Sequence, residues 1–340
     1  MTDLWVITDG KAGDEEPCLG LAEALGLTPD IRRIAPSWPF TWLGPLAPVD
    51  PREGRGGRAD PLAPPYPALA IASGRRAVPY LRALKRRSGG STFTVFLKDP
   101  RTGPGMADLI WVPEHDALRA PNVLATLTPP HRLSAKVLAA ARAAPDPRLV
   151  PLPRPRVAVL AGGDSRHYRF TDADTARFAA CLERIAAGGA GLMITASRRT
   201  PEALRAALAG LVARHGGFLW DGTGANPYAA MLALADAVVA TADSANMVGE
   251  AAASGAPVLV FEPSGGHIKL AATLEALKKQ GIVHVFHGEL TGTRYAPVDA
   301  TPMIARAIAE GLARHRRASG LPEVPVSLEE PPATAPSDWP

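Results

Sequence analysis

Short apolar runs that stop on glycine, serine, threonine or aspartate recur along this chain, and helical patterns lie between many of them. In the first half the runs fall at residues 4–8, 31–34, 68–72, 92–97, 109–112 and 122–126, with helices predicted over 17–25 and, strongly basic, over 75–87. The second half repeats the theme. Runs at 156–160, 191–195, 218–220, 237–241 and 257–261 alternate with helices predicted over 172–187, 201–215, 227–235, 246–254 and around 270–280. An apolar run without polar alternation is a strand buried on both faces, the environment of a parallel sheet covered by helices. The chain is therefore predicted to be α/β, with two Rossmann-like doubly wound domains.

Five prolines between residues 143 and 155 (Pro145, Pro147, Pro151, Pro153, Pro155) mark the predicted linker, because proline excludes helix and central strand. The expected domains are 1–150 and 151–320. The proline-rich tail, 321–340, is expected to be disordered, and 44–67, rich in Pro, Gly and Arg, to be a long surface loop. A length of 340 residues with 46% hydrophobic content suffices for two cores.

A formal charge of +4 is only mildly basic, and no nucleic-acid recognition motif accompanies it, so nucleic acid is not an expected partner. Cys18 and Cys181 stand far apart and outside any metal or disulfide pattern, as suits a reducing cytoplasm. The start, Met1 to Asp9, lacks the basic and apolar regions of a signal peptide, and no run is long enough to span a bilayer. A cytoplasmic protein is expected, meeting a membrane, if at all, from its inner surface. The eight histidines show no ligand spacing, so no metal is assigned; His167, near the glycine pair described next, is the one worth testing.

Three strand ends carry chemistry. Gly162, Gly163 and Ser165 follow the run at 156–160, where glycines either let a diphosphate approach backbone N–H groups or simply form a tight turn. Thr195, Ser197, Arg198 and Arg199 follow the next strand; one of the two arginines is a candidate diphosphate contact, while Thr200-Pro201-Glu202 reads as a helix cap. Asp243, Ser244, Asn246 and Met247 end the strand at 237–241 and open a helix that carries Glu250, whose carboxylate suits a ribose diol. Asn226 and Tyr228, around Pro227, read as a cap and first helical turn.

A strand, Ala-Asp, a polar turn, a helix with an internal Glu and then Gly255-Ala256-Pro257-Val258 resembles the nucleotide-sugar signature of GT-B glycosyltransferases, such as the peptidoglycan N-acetylglucosaminyltransferase and lipid A disaccharide synthase. The chain more specifically resembles the elongated-mitochondria fission family. Thr8-Asp9-Gly10-Lys11-Ala12-Gly13, Gly20 to Leu25, Gly162 to Ser165, Ser197 to Thr200, Asn226-Pro227-Tyr228 and Thr241 to Met247 carry that likeness, in order and over most of both halves. It implies a GT-B fold, with the two domains facing a cleft, and in plants recruitment of a dynamin-related protein to dividing mitochondria. The Ala, Arg, Gly and Pro-rich composition is that of a high-GC bacterium, where that partner is not expected.

The resemblance also implies that the loop after the first strand serves the acceptor. Asp9, Asp14 and Glu15 are then candidates for the general base, with Lys11 helping the leaving diphosphate, although Thr8-Asp9-Gly10 and Asp14 equally fit a turn and a cap. The expected function is metal-independent transfer from a nucleoside diphosphate sugar, a donor substrate and no cofactor, to an acceptor. The family often has Glu-Asn-Gln where this chain has Glu15-Glu16-Pro17, which motivates the alternative of a non-catalytic adaptor. Ser37-Trp38-Pro39-Phe40-Thr41-Trp42-Leu43, with Arg32, Arg33, Arg52, Arg55 and Arg58 nearby, is either core or a membrane-facing segment suited to a lipid-linked acceptor.

Overall fold

The computed structural model describes residues 3–53 and 59–328. Arg55, Arg58 and the prolines from 331 onward lie outside the described residues.

The chain divides into two units. The first begins with β1 (Leu4–Thr8), α1 (Ala12–Ala24), β2 (Pro29–Arg33), the short α2 (Phe40–Leu43), β3 (Leu69–Ser73), α3 (Val78–Arg87), β4 (Phe93–Leu97), β5 (Leu109–Pro113) and β6 (Val123–Thr126). Its six strands form one parallel sheet in the order β2-β1-β3-β4-β5-β6. Alternate residues of β1 serve opposite faces, as strand geometry requires. Leu4 and Val6 share a core with Leu21, Leu25 and Val95, whereas Trp5 and Ile7 join Tyr80, Leu81 and Phe96 on the other side. The helix α3 buries Tyr80, Leu81 and Leu84 and ends on Lys85, Arg86 and Arg87, cations that suit the negative end of its dipole.

The second unit runs from α4 (Ala135–Ala143) through β7 (Arg156–Ala161), β8 (Tyr168–Arg169), α5 (Asp172–Ala187), β9 (Gly191–Ala196), α6 (Glu202–His215), β10 (Phe218–Trp220), α7 (Tyr228–Leu234), β11 (Ala237–Thr241), α8 (Ala245–Ala252), β12 (Val258–Phe261), β13 (Ser264–Gly265) and α9 (Ile268–Lys279) to β14 (Val283–Val285). Six parallel strands are ordered β10-β9-β7-β11-β12-β14, the doubly wound arrangement in which the chain leaves the central strand in one direction and then returns past it. The small strands β8 and β13 pair antiparallel outside this sheet. Val157, Val159, Ile194, Val239, Phe178 and Phe261 build the core under α5 and α6.

The division between units differs from the sequence expectation. It falls between Arg132 and Leu133, because α4 packs on α7 and Leu149, inside the proline-rich stretch, is fully buried. That stretch is a strap on the second unit, not a free linker. A helix not read from the sequence, α10 (Thr301–Ala318), belongs to the first unit, where Ile304, Ile308 and Leu312 complete the core around Leu4 and Leu21. Gly311 is required there, since a Cβ would stand 2.6 Å from the Phe93 ring. The segment 321–328, expected to be disordered, is held: Ser327 N donates to Leu25 O at 3.0 Å, and Val324, Val326 and Leu328 pack on the same core.

Candidate functional site

The chain reverses direction across the second sheet between β7 and β11, and open α/β sheets bind ligands beside the carboxyl ends of strands at such a switch point. Gly162-Gly163 ends β7 and Thr241-Ala242-Asp243 ends β11. One carboxylate ties these ends together. The Asp243 side chain is fully buried and accepts hydrogen bonds from Gly163 N (3.1 Å), the Thr241 hydroxyl (2.6 Å) and the Arg199 guanidinium (2.8 Å). The same Thr241 hydroxyl accepts from Gly162 N at 2.8 Å.

This geometry revises the role of the glycine pair. A Cβ on Gly162 would lie 2.0 Å from the Asp243 carboxylate, and one on Gly163 would lie 2.1 Å from Arg199 O. Glycine is required so that three loops can close on each other, and both N–H groups are already satisfied by side chains. Arg199 is likewise committed, donating to Asp243, Gly163 O and Asp164 O, whereas Arg198 is exposed and makes no hydrogen bond or ion pair among the described residues. Of the two arginines, Arg198 is the one available to a ligand.

The smaller residues divide in the same way. Ser197 accepts from Arg199 N, and the Thr200 hydroxyl donates to Ala161 O and Gly162 O. The cap of α6 is therefore Pro201, because the Thr200 side chain is used to close the loop. Ser165 accepts from His167 N and Tyr168 N in a turn, and Thr195 is partly exposed near the end of β9. Ser244 caps α8 by accepting from Met247 N, with Asn246 and Met247 in the first turn.

Farther along α8, Glu250 accepts the Tyr228 hydroxyl at 2.6 Å. Burial, and then the Glu250 charge, push the Tyr228 phenol well above its ordinary range, so it remains protonated and donates. Asn226 accepts from Tyr228 N at 3.1 Å and sets the start of α7. The soft cap signal at 226–228 thus belongs to a polar pair that fixes the glutamate.

His167 lies with its ring 4.1 Å from that of His267 and accepts from Arg166 Nε at 3.2 Å. Desolvation, then His267 and Arg166, push its pKa down. His267, at the start of α9, escaped the sequence reading because Gly265-Gly266-His267 carries only a turn signal.

The first unit has its own polar edge at the carboxyl ends of β1, β3 and β4. Asp9, its side chain 6% exposed, pairs with Lys11 at 2.5 Å and Arg76 at 3.3 Å. Asp14 accepts from Lys98 Nζ at 2.6 Å and Ser73 Oγ at 3.1 Å. Lys98 also donates to Gly13 O at 3.1 Å. Pro17 explains that bond: it lies inside α1 and has no N–H to give the carbonyl four residues earlier. Glu15 pairs with Arg33 at 2.9 Å, its second oxygen buried without a hydrogen-bond partner. Lys98 and Ser73 were not read from the sequence, and Arg76 only as part of the basic helix over 75–87, which starts instead at Val78; Ser73-Gly74 carried a turn signal, whereas the lysine carried none.

The aromatic segment is exposed. Trp38 and Trp42 are each 76% accessible and Leu46 is 77% accessible. Asp50 holds the segment by accepting from Ser37 N, Ser37 Oγ and Arg52 N. Arg52 reaches Ser37 at 2.9 Å, Arg82 reaches Ala47 O at 2.9 Å, and Arg75 lies against Gly44, so cations flank the tryptophans. Among the described residues no helix is long and apolar enough to cross a membrane.

A family model described as mitochondrial fission ELM1 matches residues 12–312. The chain is 28% identical over 247 residues to the mitochondrial fission protein ELM1 of Arabidopsis thaliana, covering 65% of this chain and 58% of that protein. It spans about half the length of the curated relatives it matches. Among solved structures, an S. aureus MnaA–UDP co-structure superposes with a TM-score of 0.53 at 12% identity, over 93% of this chain and 88% of that one, a likeness of fold. Acinetobacter baumannii MurG aligns with a TM-score of 0.48 at 14% identity, over 92% and 94% of the two chains.

Proposed function

Because the chain belongs to the mitochondrial fission ELM1 family and has two doubly wound units of the GT-B type, we propose that it binds a nucleoside diphosphate sugar on its second unit and transfers the sugar to an acceptor. One observation carries this reading. At the switch point of the second sheet, three loop ends are tied to the buried Asp243 carboxylate, and the helix leaving that edge carries a glutamate held by Tyr228.

Each group takes the role that its chemistry suits. Glu250 accepts hydroxyls of the ribose, with Tyr228 fixing its rotamer. Backbone N–H groups in the first turn of α8, with Ser244, Asn246 and Arg198, serve the diphosphate through the positive end of the helix dipole and a forked cation. In the transfer, an acceptor oxygen bonds to the anomeric carbon while the bond from that carbon to the diphosphate breaks, and the diphosphate leaves with the electron pair. Asp9 or Asp14 takes the acceptor proton. Charge develops on the leaving diphosphate, where fixed dipoles and cations stabilise it most.

The exposed Trp38, Trp42 and Leu46, flanked by Arg52, Arg75 and Arg82, support a lipid-linked acceptor met at an anionic bilayer surface. Calorimetric titration of the full chain with UDP, GDP and ADP and their sugars tests the donor reading, beginning with UDP, the ligand of the MnaA co-structure. Saturable binding of one of them is expected. No heat from any, with folded protein, sinks it.

A further inference from the structure

We propose that the carboxyl edge of the first sheet is an anion site, built around Lys98, Arg76 and Ser73, that receives a phosphate group carried by the acceptor. The proposal deepens the sugar-transfer reading and rests on it only for the ligand's role.

Three observations meet at this edge. First, the sheet reverses between β1 and β3, and the residues in question end β1, β3 and β4 around that point. Second, the two non-glycine residues with positive φ among the described residues, Lys98 (80°) and Arg101 (62°), both lie in the loop after β4. Such backbone costs free energy for a residue with a Cβ and persists where its surroundings enforce it. In the same loop the Thr102 hydroxyl is buried without a hydrogen-bond partner.

Third, cations outnumber carboxylates. Lys11 and Arg76 share Asp9, Lys98 holds Asp14, and Arg75 makes no ion pair among the described residues. The Asp14 carboxylate, at 2.6 Å from Lys98 and 3.1 Å from Ser73, occupies the position of an anion between a cation and a hydroxyl. A phosphate offers more charge and more acceptor oxygens, and competes for both donors. Lys98 then exchanges Asp14 for the ligand, which leaves that carboxylate oxygen open to the acceptor's hydroxyl.

The test titrates the full chain with geranyl phosphate, inorganic phosphate and geraniol as the neutral control. Lys98→Met and Arg76→Met are expected to weaken geranyl phosphate binding about tenfold or more, the worth of a charge-assisted hydrogen bond, while Lys98→Arg retains most of it. Asp14→Asn releases Lys98 and is expected to tighten binding. That variant keeps the bond from Lys98 to Gly13, so it decides the matter even if Lys98→Met fails to fold. Tighter binding of geranyl phosphate than of inorganic phosphate assigns a lipid source; equal binding assigns the phosphate alone. No anion binding by folded protein, or affinity unmoved by both Lys98→Met and Asp14→Asn, overturns the proposal. UDP titrated into the same proteins separates the two readings, since it reports on the second unit: lost UDP binding with retained phosphate binding removes the donor reading and leaves this one.

Discussion

Arg199 donates to Asp243 at 2.8 Å across 44 residues of sequence, from a side chain 45% exposed to one that is fully buried. The pair closes the second unit's switch point, because the same carboxylate also accepts from the Gly163 backbone. Removing the carboxylate leaves the guanidinium, the Thr241 hydroxyl and an N–H without their shared acceptor. Asp243→Ala is expected to lower stability by about 2–4 kcal/mol, read from urea unfolding, with Arg199→Lys costing less because one cation remains.

The glycine pair answers to the same loop closure. Gly163→Ala would drive a methyl group to 2.1 Å from Arg199 O, which is backbone and cannot swing aside. A loss of about 2 kcal/mol or more is expected, against a change within roughly 0.5 kcal/mol for Gly105→Ala, where nothing lies within 4 Å. Equal melting temperatures for the two variants would remove the argument.

Asp174 supplies a pH signature. Burial alone would raise its carboxyl, but hydrogen bonds from Ser264, Thr171 and Arg177 outweigh that and hold it well below its ordinary 3.8. A depressed folded value means that its contribution is fully present above the unfolded pKa and is lost as pH falls through the folded one. Asp174→Asn is therefore expected to cost about 1–3 kcal/mol near neutral pH, with the gap from wild type narrowing only below the ordinary aspartate range. Urea midpoints measured from neutral to acidic pH check the sign.

Tyr228→Phe removes the hydroxyl that Glu250 accepts at 2.6 Å and nothing else. Nucleotide-sugar affinity is expected to fall roughly 3- to 10-fold, with Glu250→Gln falling further, since the variant amide accepts diol hydroxyls less well. Calorimetry reads the effect. Unchanged affinity in both variants would move the ribose away from α8.

The tryptophans predict a lipid-dependent signal. Trp38→Ala combined with Trp42→Ala is expected to weaken binding to vesicles containing anionic phosphatidylglycerol more than about tenfold, because each ring carries a large apolar area. Stability should scarcely change, both side chains being 76% exposed in the free protein. Co-sedimentation with neutral and anionic vesicles separates the aromatic part from the arginine part, and vesicle binding unaffected by the double substitution would exclude the segment.

What the sequence by itself determined is what short-range rules govern. Runs without polar alternation marked the strands, buried throughout in β1, β3, β4 and β11 but only partly buried in the edge strands β2, β6 and β10, and turn residues at their ends marked the edges where chemistry collects. Thr171, of a residue type that favours helix starts, caps α5 in a reciprocal box with Asp174. Glycines and small polar residues at 162–165, 197–200 and 241–247 identified the loops of the second unit's edge.

Only the tertiary structure decided how those loops use their residues. Gly163 and Asp243 are 80 positions apart, and Lys98 and Asp14 are 84 apart, so no local pattern could pair them. Pro17 was read as opening a helix; it sits inside α1, and a lysine from the loop after β4 donates to the carbonyl of Gly13, four residues before the proline. The helix α10 shows the same limit. Its return to the first unit follows from the fit of Ile304, Ile308 and Gly311 against Leu4, Leu21 and Phe93, a matter of packed shape between segments distant in the chain.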